Sequence, residues 1–333
     1  RDPLKPQKIS VPVEVNKREL RNPFVIPGLQ KVKIESQLNA NYNFKNFVEG
    51  DSNRLARSAG MAVANKPGGT SFNPLLIYGG VGLGKTHLAH AIGVDIKDKY
   101  PDKTVLYISS EKFTQQFIDS VKSNTRNDFI HFYQMIDVLI IDDVQFFSGK
   151  AGTQDVFFHI FNHLHQNGKQ VVLSSDKAPV DMQDIEQRLL SRFKWGLSAE
   201  LQLPDYETRI SILQNKLYRD GVEMAEEIVE YIAKNIKSNV RELEGVIISL
   251  MAQASLTRKE IDIELAKTTL KSIVNDQEKE LSVDNILDVV TLHFDVDLQT
   301  LQGKCRKKEN VFPRQVAMYM LKELTNLPLK SIG

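Results

Sequence analysis

The 333-residue sequence holds a single cysteine, Cys305. One thiol closes no internal disulfide and supplies no cysteine-based zinc site, so neither kind of staple is available to the fold. Long apolar runs are also missing. Those present are short, such as Val138–Ile141, against the roughly 20 residues that span a bilayer. No charged-then-apolar leader precedes them, so no secretory signal is visible. Neither sign of charge dominates: 43 Lys and Arg stand against 42 Asp and Glu, a net charge of +1. The chain as a whole is no polycation, and any nucleic-acid contact has to sit in a local patch. A soluble intracellular protein, cytoplasmic by default, is expected. Its 41% hydrophobic content is enough for a sizeable core divided among roughly two or three domains.

Proline is unevenly spread. Residues 1–36 hold Pro3, Pro6, Pro12, Pro23 and Pro27 with little periodicity, and read as a tether or extended tail. The start at Arg1, without a methionine, predicts a piece of a longer protein. Over 37–204 short β-rich runs (PLLIYG, TVLYIS, DVLIIDD, QVVLSS) alternate with amphipathic segments of helical length. Runs apolar on both faces and spaced by helices predict an α/β unit, a parallel sheet covered on each side. Over 205–264 the strand runs stop and ETRISILQNKLYRD, MAEEIVEYIAKNI and VRELEGVIISLMAQASL read as a helical lid. Asn239, with Glu242 three residues on, is the expected N-cap of the last. DIELAKTTLKSIVND reads as a connecting helix, and 265–333 as that linker followed by a partial, all-α helix-turn-helix-type unit.

Gly79–Thr86 spell G-x-x-x-x-G-K-T between the strand LLIY and the helix THLAHAI. Glycines here let backbone N–H groups turn inward around phosphate oxygens, and the helix N-terminus adds its positive end. Gly80, Gly82, Leu83, Gly84, Lys85, Thr86 and His87 are therefore the expected nucleotide-holding residues. Lys85 reaches the β and γ phosphates of ATP (or the β phosphate of ADP), and the Thr86 hydroxyl is suited to Mg2+. Such a loop needs an acid for the metal. Asp142, at the end of the apolar strand Val138–Ile141, is the expected Mg2+ residue with Thr86, and Asp143 the water-polarising carboxylate. Aspartate reaches one methylene less far than glutamate, so slow turnover is expected. Ser174, Ser175 and Asp176 end the strand QVVLSS; they either position the attacking water or make an ordinary strand-to-loop turn.

Arg188 and Arg192 fall four apart in RLLSRFKWG, on one helix face. Arg241 opens the helix VRELEG. By residue type alone all three are surface or salt-bridge arginines. Near the C-terminus, Lys304, Arg306, Lys307, Lys308 and Arg314 stand within eleven residues against the single acid Glu309. Alone, such a cluster is more often a solvated face. Pro313 is read as a helix start, with Arg314 and Gln315 in its first turn, and Val316, Met320 and Leu324 as the core face of that helix.

Taken together, the sequence resembles the DnaA family of bacterial chromosomal replication initiators, AAA+ ATPases that open the origin. LNANYNFKNFVEGDSNRLA is similar to the family's entry segment, which implies adenine contacts from Asn39, Tyr42 and Phe44. IYGGVGLGKTHL and DVLIIDDVQFF resemble its phosphate loop and metal strand. VVLSSDKAP resembles its first sensor, with Asp176; RLLSRFKWGL its arginine-finger box, with Arg192 acting between subunits; NVRELEG its second sensor, with Arg241 acting in cis. The resemblance runs from Leu38 to the end. It places Arg306 in a minor groove and Arg314 on the phosphate backbone, and so implies binding of double-stranded origin DNA. DSVKSNTRNDFIHFYQ resembles the family's helical insertion and FFSGKAGTQ the loop beside it. Lys122, Arg126 and Lys150 there are candidates for single-stranded DNA, although some relatives carry a basic residue where this sequence has Gly152.

The implied protein is a nucleoid-associated homo-oligomer, head-to-tail and helical in the ATP state, switched off by slow hydrolysis. The family's recognition helix lies beyond the position of Gly333, so weak and poorly selective DNA binding is expected of this chain. Helicase contact is expected to be reduced without the family's N-terminal region. The helix around Leu265–Val274 is a minor candidate for acidic phospholipid, its charges being mixed. A helicase loader would share everything up to Glu244 but not the C-terminal basic unit; an ATP-sensing transcription regulator overlaps with the initiator reading.

Overall fold

The computed structural model describes residues 34–257, 260–278, 283–303 and 308–324. The predicted tail falls on residues 1–36, of which 1–33 lie outside the described residues; Ile34 and Glu35 have no regular structure. Ser36 begins the second of two contact-defined units, to which all that follows belongs.

The α/β half runs α1 (Arg54–Asn65), β1 (Leu75–Gly79), α2 (Lys85–Lys99), β2 (Val105–Ser109), α3 (Ser110–Lys122), α4 (Arg126–Gln134), β3 (Val138–Asp142), a 3-10 turn (Val144–Phe147), α5 (Ala151–Gln166), β4 (Gln170–Ser175), α6 (Gln187–Phe193) and β5 (Leu197–Leu201). The strands form one parallel sheet in the order β2-β3-β4-β1-β5. Every residue of β3 and β4 is buried, which is why Val138–Ile141 and Val171–Leu173 read as unbroken apolar runs rather than alternating ones. Tyr78 aligns with Ser175, Ile141 with Leu173 and Ser109 with Asp142. The C-terminal ends of β1, β4, β3 and β2 are thus brought level, and the polar residues that end these strands share one edge.

Helices α7 (Tyr206–Asp220), α8 (Glu226–Asn235), α9 (Val240–Thr257) and α10 (Ile263–Glu278) follow. Leu213, Leu217, Ile232, Leu243, Ile247 and Leu250 form a core of their own. Ala266 and Leu270 of α10 belong to that core, so the predicted connecting helix packs on the lid along its first half. The expected N-cap of α9 is present: Asn239 Oδ1 accepts the Glu242 N–H at 2.9 Å, while Glu242 Oε1 accepts from Asn239 Nδ2 at 2.7 Å. The return arm of this capping box reaches the side-chain amide rather than the backbone N–H. Last come α11 (Val283–Phe294), α12 (Leu298–Gln302) and α13 (Lys308–Leu324), whose shared core holds Val290, Leu301 and Ala317. Among the described residues no helix is long and apolar enough to cross a membrane.

Three local expectations are corrected. Pro313 does not start its helix: α13 begins at Lys308 and carries Pro313 inside. The ring leaves the Glu309 carbonyl without its usual helical N–H, and burial of Pro313 in the helix-bundle face accompanies that loss. Arg314 and Gln315 therefore lie in the second turn. The buried stripe of α13 is Pro313, Ala317 and Leu321, with Val316 and Met320 at its margin; the side chain of Leu324 lies outside the described residues. Finally, FFSGKAGTQ is not a continuous loop. Val144–Phe147 coil into the 3-10 turn and Ala151 opens α5, which leaves Ser148–Lys150 between them.

Candidate functional site

The loop after β1 owes its shape to residues that tolerate a left-handed backbone. Gly82 has φ +75° and Gly84, the N-cap of α2, φ +94°. A Cβ on Gly82 would stand 2.8 Å from Asn239 Oδ1. That close approach is used: the Gly82 carbonyl accepts the Val240 N–H at 3.0 Å. The loop is latched directly to the first turn of α9, the turn that carries Arg241.

Around this latch lies a cleft of about 760 Å3 lined by Tyr42, Gly82, Gly84, Lys85, Thr86, His87, Asp143, Asp176, Arg241 and Glu244, among others. Lys85 is 5% exposed, an expensive place for an ammonium without partners. It has three: the Gly79 and Gly80 carbonyls at 2.9 and 2.7 Å and the Asp176 carboxylate at 2.6 Å. Asp176 thus stands where a phosphate oxygen would meet Lys85. Gln145 spans the acids behind it, donating from Nε2 to Asp143 Oδ1 at 3.1 Å and Asp176 Oδ2 at 3.0 Å, and accepting the Asp176 N–H at 3.2 Å.

Asp142 is buried and ringed by hydroxyls. Thr86 Oγ1 donates to it at 2.8 Å, the Tyr107 hydroxyl at 2.6 Å, and Ser174 Oγ completes the set. Burial and the Asp142 charge hold the Tyr107 hydroxyl far above its ordinary pKa, so it stays a donor. Ser174 Oγ also accepts the Asp143 N–H at 2.9 Å, which gives the β4 tip a part in orienting the acid pair. Asp143 itself sits at φ +59°. Burial first, then the Asp142 charge, raises its carboxyl above the usual range, against the Gln145 hydrogen bond. Thr86 and Asp142 offer adjoining hard oxygen donors beside the phosphate loop, a set that fits Mg2+ completed by phosphate oxygens.

A second cavity, about 610 Å3, adjoins the first through Gly84, His87, Val240 and Glu244. Phe47, Val48, Leu83 and Ile212 give it apolar walls, and Asn215, Lys216 and Arg219 of α7 a polar end. His87 closes the boundary between the two. Its Nε2 meets Asn43 O at 3.2 Å and Asn46 Oδ1 at 2.8 Å, and Tyr42 and Phe47 lie against its ring at 4.9 and 5.3 Å. Two acceptors at one nitrogen hold the neutral Nε2–H form, and burial brings the pKa down to about 4. Of the three entry-segment residues expected at the base, only Tyr42 reaches the cleft. The Asn39 N–H is spent on His90 Nδ1 at 3.2 Å, and Phe44 packs against the core. Phe47 and Val48, a few residues on, line the adjoining cavity. The α7 residues, Val240 and Glu244 carried no local signal, because only the latch swings the lid over the loop.

The arginines separate by partner. Arg241 lies in the cleft and has no acid partner among the described residues. Arg188 is held by Glu186 and by Asp155 at 3.0 Å, whereas Arg192 pairs with no carboxylate among the described residues and binds Asn162 Oδ1 through Nε at 2.9 Å. Arg126, exposed, leans on the half-buried Asp155 at 3.4 Å; Lys122 and Lys150 are exposed, Lys150 as N-cap of α5. Arg314 donates from Nε to the Leu301 carbonyl at 2.8 Å and from Nη2 to that of Thr300 at 3.3 Å, and so closes the C-terminal end of α12. Gln315 is exposed. Lys304, Arg306 and Lys307 lie outside the described residues, as does the side chain of Lys308.

A phosphate loop on the strand beside β4, an acid pair on the next strand but one, and a helical lid that returns an arginine to the cleft define the AAA+ class of nucleotide-binding proteins. Comparison narrows the class. Residues 38–200 match the family model described as the bacterial DnaA ATPase domain, and 283–333 that of the bacterial DnaA helix-turn-helix. A chromosomal replication initiator protein DnaA from Flavobacterium psychrophilum is 72% identical over 333 residues, all of this chain and 70% of the relative. The crystal structure of domain III of the Thermotoga maritima initiator DnaA superposes with a TM-score of 0.68 at 46% identity, over 71% of this chain and 98% of that one. A replication initiator DnaA bound to AMPPCP and single-stranded DNA gives 0.63 at 34%, over 89% and 86%. The chain belongs to the bacterial DnaA family. It spans 62% of the length of one curated relative and 64% of another.

Proposed function

We propose that this chain carries the nucleotide switch of an ATP-dependent replication initiator, one that binds origin DNA, assembles head-to-tail with ATP and promotes duplex opening. The observation that carries the reading is a pair of arginines without an acid partner among the described residues. Arg241 faces the cleft of its own chain, while Arg192 stands outside the cleft lining. One terminal phosphate can then be read twice, by Arg241 in cis and by Arg192 of a second copy in trans. A heterologous contact of that kind that does not close makes a helix.

Within the cleft, Lys85 exchanges Asp176 for phosphate oxygens. Thr86 and Asp142 hold Mg2+, which supplies charge neutralisation at the phosphates. Asp143 orients the attacking water, and Asp176 with Ser174 keeps the acids in place. The apolar walls at Phe47, Val48, Leu83 and Ile212 suit the base, with Tyr42 at the junction. The short reach of Asp143 makes hydrolysis slow, and loss of the γ phosphate removes what both arginines read. AMPPCP and single-stranded DNA in a relative's structure support nucleotide and DNA as partners. For DNA, we assign the duplex to the basic segment Lys304–Lys308 with Gln315, and single strands to Lys150. Arg314 acts on the duplex by fixing α12 against α13.

Light scattering with ATP, ADP or no nucleotide, with and without duplex DNA, tests this reading. ATP-specific growth into large assemblies is expected, and Arg192→Ala should abolish it with ATP affinity nearly intact. A monomer under every condition, or a basal turnover above about 10 per second, overturns it.

A further inference from the structure

An arginine that acts on a neighbouring chain has to be aimed. Left alone it spreads over many rotamers, and ordering it on contact weakens the contact. Arg192 is already ordered. Its Nε is bound to Asn162, and its guanidinium lies 4.6 Å from the ring centroid of Trp195 and 5.7 Å from that of Phe158. Trp195 is set in turn by His165, with centroids 4.4 Å apart, and His165 stacks on the fully buried Phe161 at 5.9 Å. A column of rings thus rises from the core of α5 to the guanidinium. Two rings and the Asn162 oxygen hold that group, while its two Nη nitrogens have no hydrogen-bond partner among the described residues. This fork is the part of arginine that matches phosphate oxygens. Arg188 makes the contrast. It lies over the same Phe158 ring at 4.5 Å, yet its nitrogens are bonded to Glu186 and Asp155.

We propose that Trp195 is a positioning residue that, with Asn162, pre-sets the Arg192 fork for the terminal phosphate held by a second copy of this chain. The inference rests on the trans role of Arg192 given above. Trp195 is 56% exposed, so core packing does not account for so large an apolar side chain at this site. It is also the single tryptophan of the chain, which makes its emission a report on the clamp.

The test compares the unaltered chain with Arg192→Ala, Trp195→Leu and Trp195→Phe, each with ATP, Mg2+ and duplex DNA, by light scattering and by ATP binding. Trp195→Leu should raise the concentration for half-maximal assembly by about fivefold, the worth of a lost cation–π contact. Trp195→Phe keeps an aromatic face and should recover most of the loss, and both should bind ATP like the unaltered chain. In the nucleotide-free state, Arg192→Ala should change the Trp195 emission. If both Trp195 variants assemble normally, or both fail alike, the positioning role is overturned while the trans role of Arg192 stands. Normal assembly by Arg192→Ala overturns that trans role as well. Unchanged emission in Arg192→Ala overturns the contact itself.

Discussion

Asp176→Asn separates the two duties of the β4 tip. The carboxylate pairs with Lys85 at 2.6 Å and accepts from Gln145 at 3.0 Å, one oxygen for each. Asparagine has one oxygen and one NH2. Whichever way it turns, either Lys85 or Gln145 Nε2 faces a donor. ATP has to displace Asp176 from Lys85 before the phosphates can reach it. A charge-assisted bond contributes about 1.5–3 kcal/mol and a weaker one to an amide oxygen about 1, so the substitution lowers that barrier to binding by about 0.5–2 kcal/mol. Partial exposure of Asp176 favours the lower part of this range. ATP and ADP should therefore bind about two- to fivefold more tightly to the variant, with the gain shrinking as salt is raised. Hydrolysis should fall at the same time, because Gln145 Nε2 loses its side-chain acceptor at residue 176 and only the backbone N–H bond there remains. Isothermal titration against each nucleotide and single-turnover hydrolysis give the two quantities. Unchanged or weaker binding of both nucleotides would refute the competition for Lys85; tighter binding with undiminished hydrolysis would refute the Gln145 link.

Other expectations follow from the same geometry. Gly82→Ala puts a Cβ against the Asn239 cap at a left-handed residue, and should weaken ATP binding about tenfold or more while the sheet still folds; normal affinity would show that the latch does not matter for nucleotide. Arg209 is buried and bonds the Ala233 and Pro204 carbonyls at 2.8 and 2.7 Å, so Arg209→Lys should destabilise the lid by about 2 kcal/mol and speed hydrogen exchange in α7 and α8 before β1 or β3. His87 has its pKa depressed to about 4 in the native chain against 6.5 ordinarily. The unfolded state then takes up the proton first as pH falls, so this stability is full above pH 6.5 and is lost toward pH 4, about 2 kcal/mol of it by pH 5. Denaturant unfolding of the parent and of His87→Gln at pH 7 and pH 5 should differ by that amount, and parallel losses in both would assign the acid sensitivity elsewhere.

Much of the site was legible because its signals are local. The phosphate loop is a contiguous run between a strand and a helix. Buried parallel strands announce themselves as apolar runs, and their last residues are the polar ones at the shared edge. Asn239 and Glu242 are three apart because the cap spans one turn. Pro313 differs from its expected place for the same reason: a preference at helix starts is local, whereas its burial depends on tertiary packing. That Phe47 and Val48 rather than Asn39 and Phe44 line a cavity is not legible locally, because which side of an irregular segment meets the cleft is not periodic.

By itself, then, the sequence determined the first four strands with helices between them, the loop, the acid pair and the cap, but not β5, whose LSAEL carries no apolar run. These rest on backbone hydrogen bonding and apolar periodicity within a few residues. Only the tertiary structure decided who pairs with whom. Asp176 lies 91 positions from Lys85, and Val240 far beyond Gly82, yet a 2.6 Å ion pair and a 3.0 Å hydrogen bond join them. Arg188 and Arg192 are alike as residues, and what separates them is the presence of Asp155 and Glu186 beside one and of Trp195 and Asn162 beside the other. Charge complementarity and ring stacking act through space over a few ångströms, and folding alone brings such groups that close.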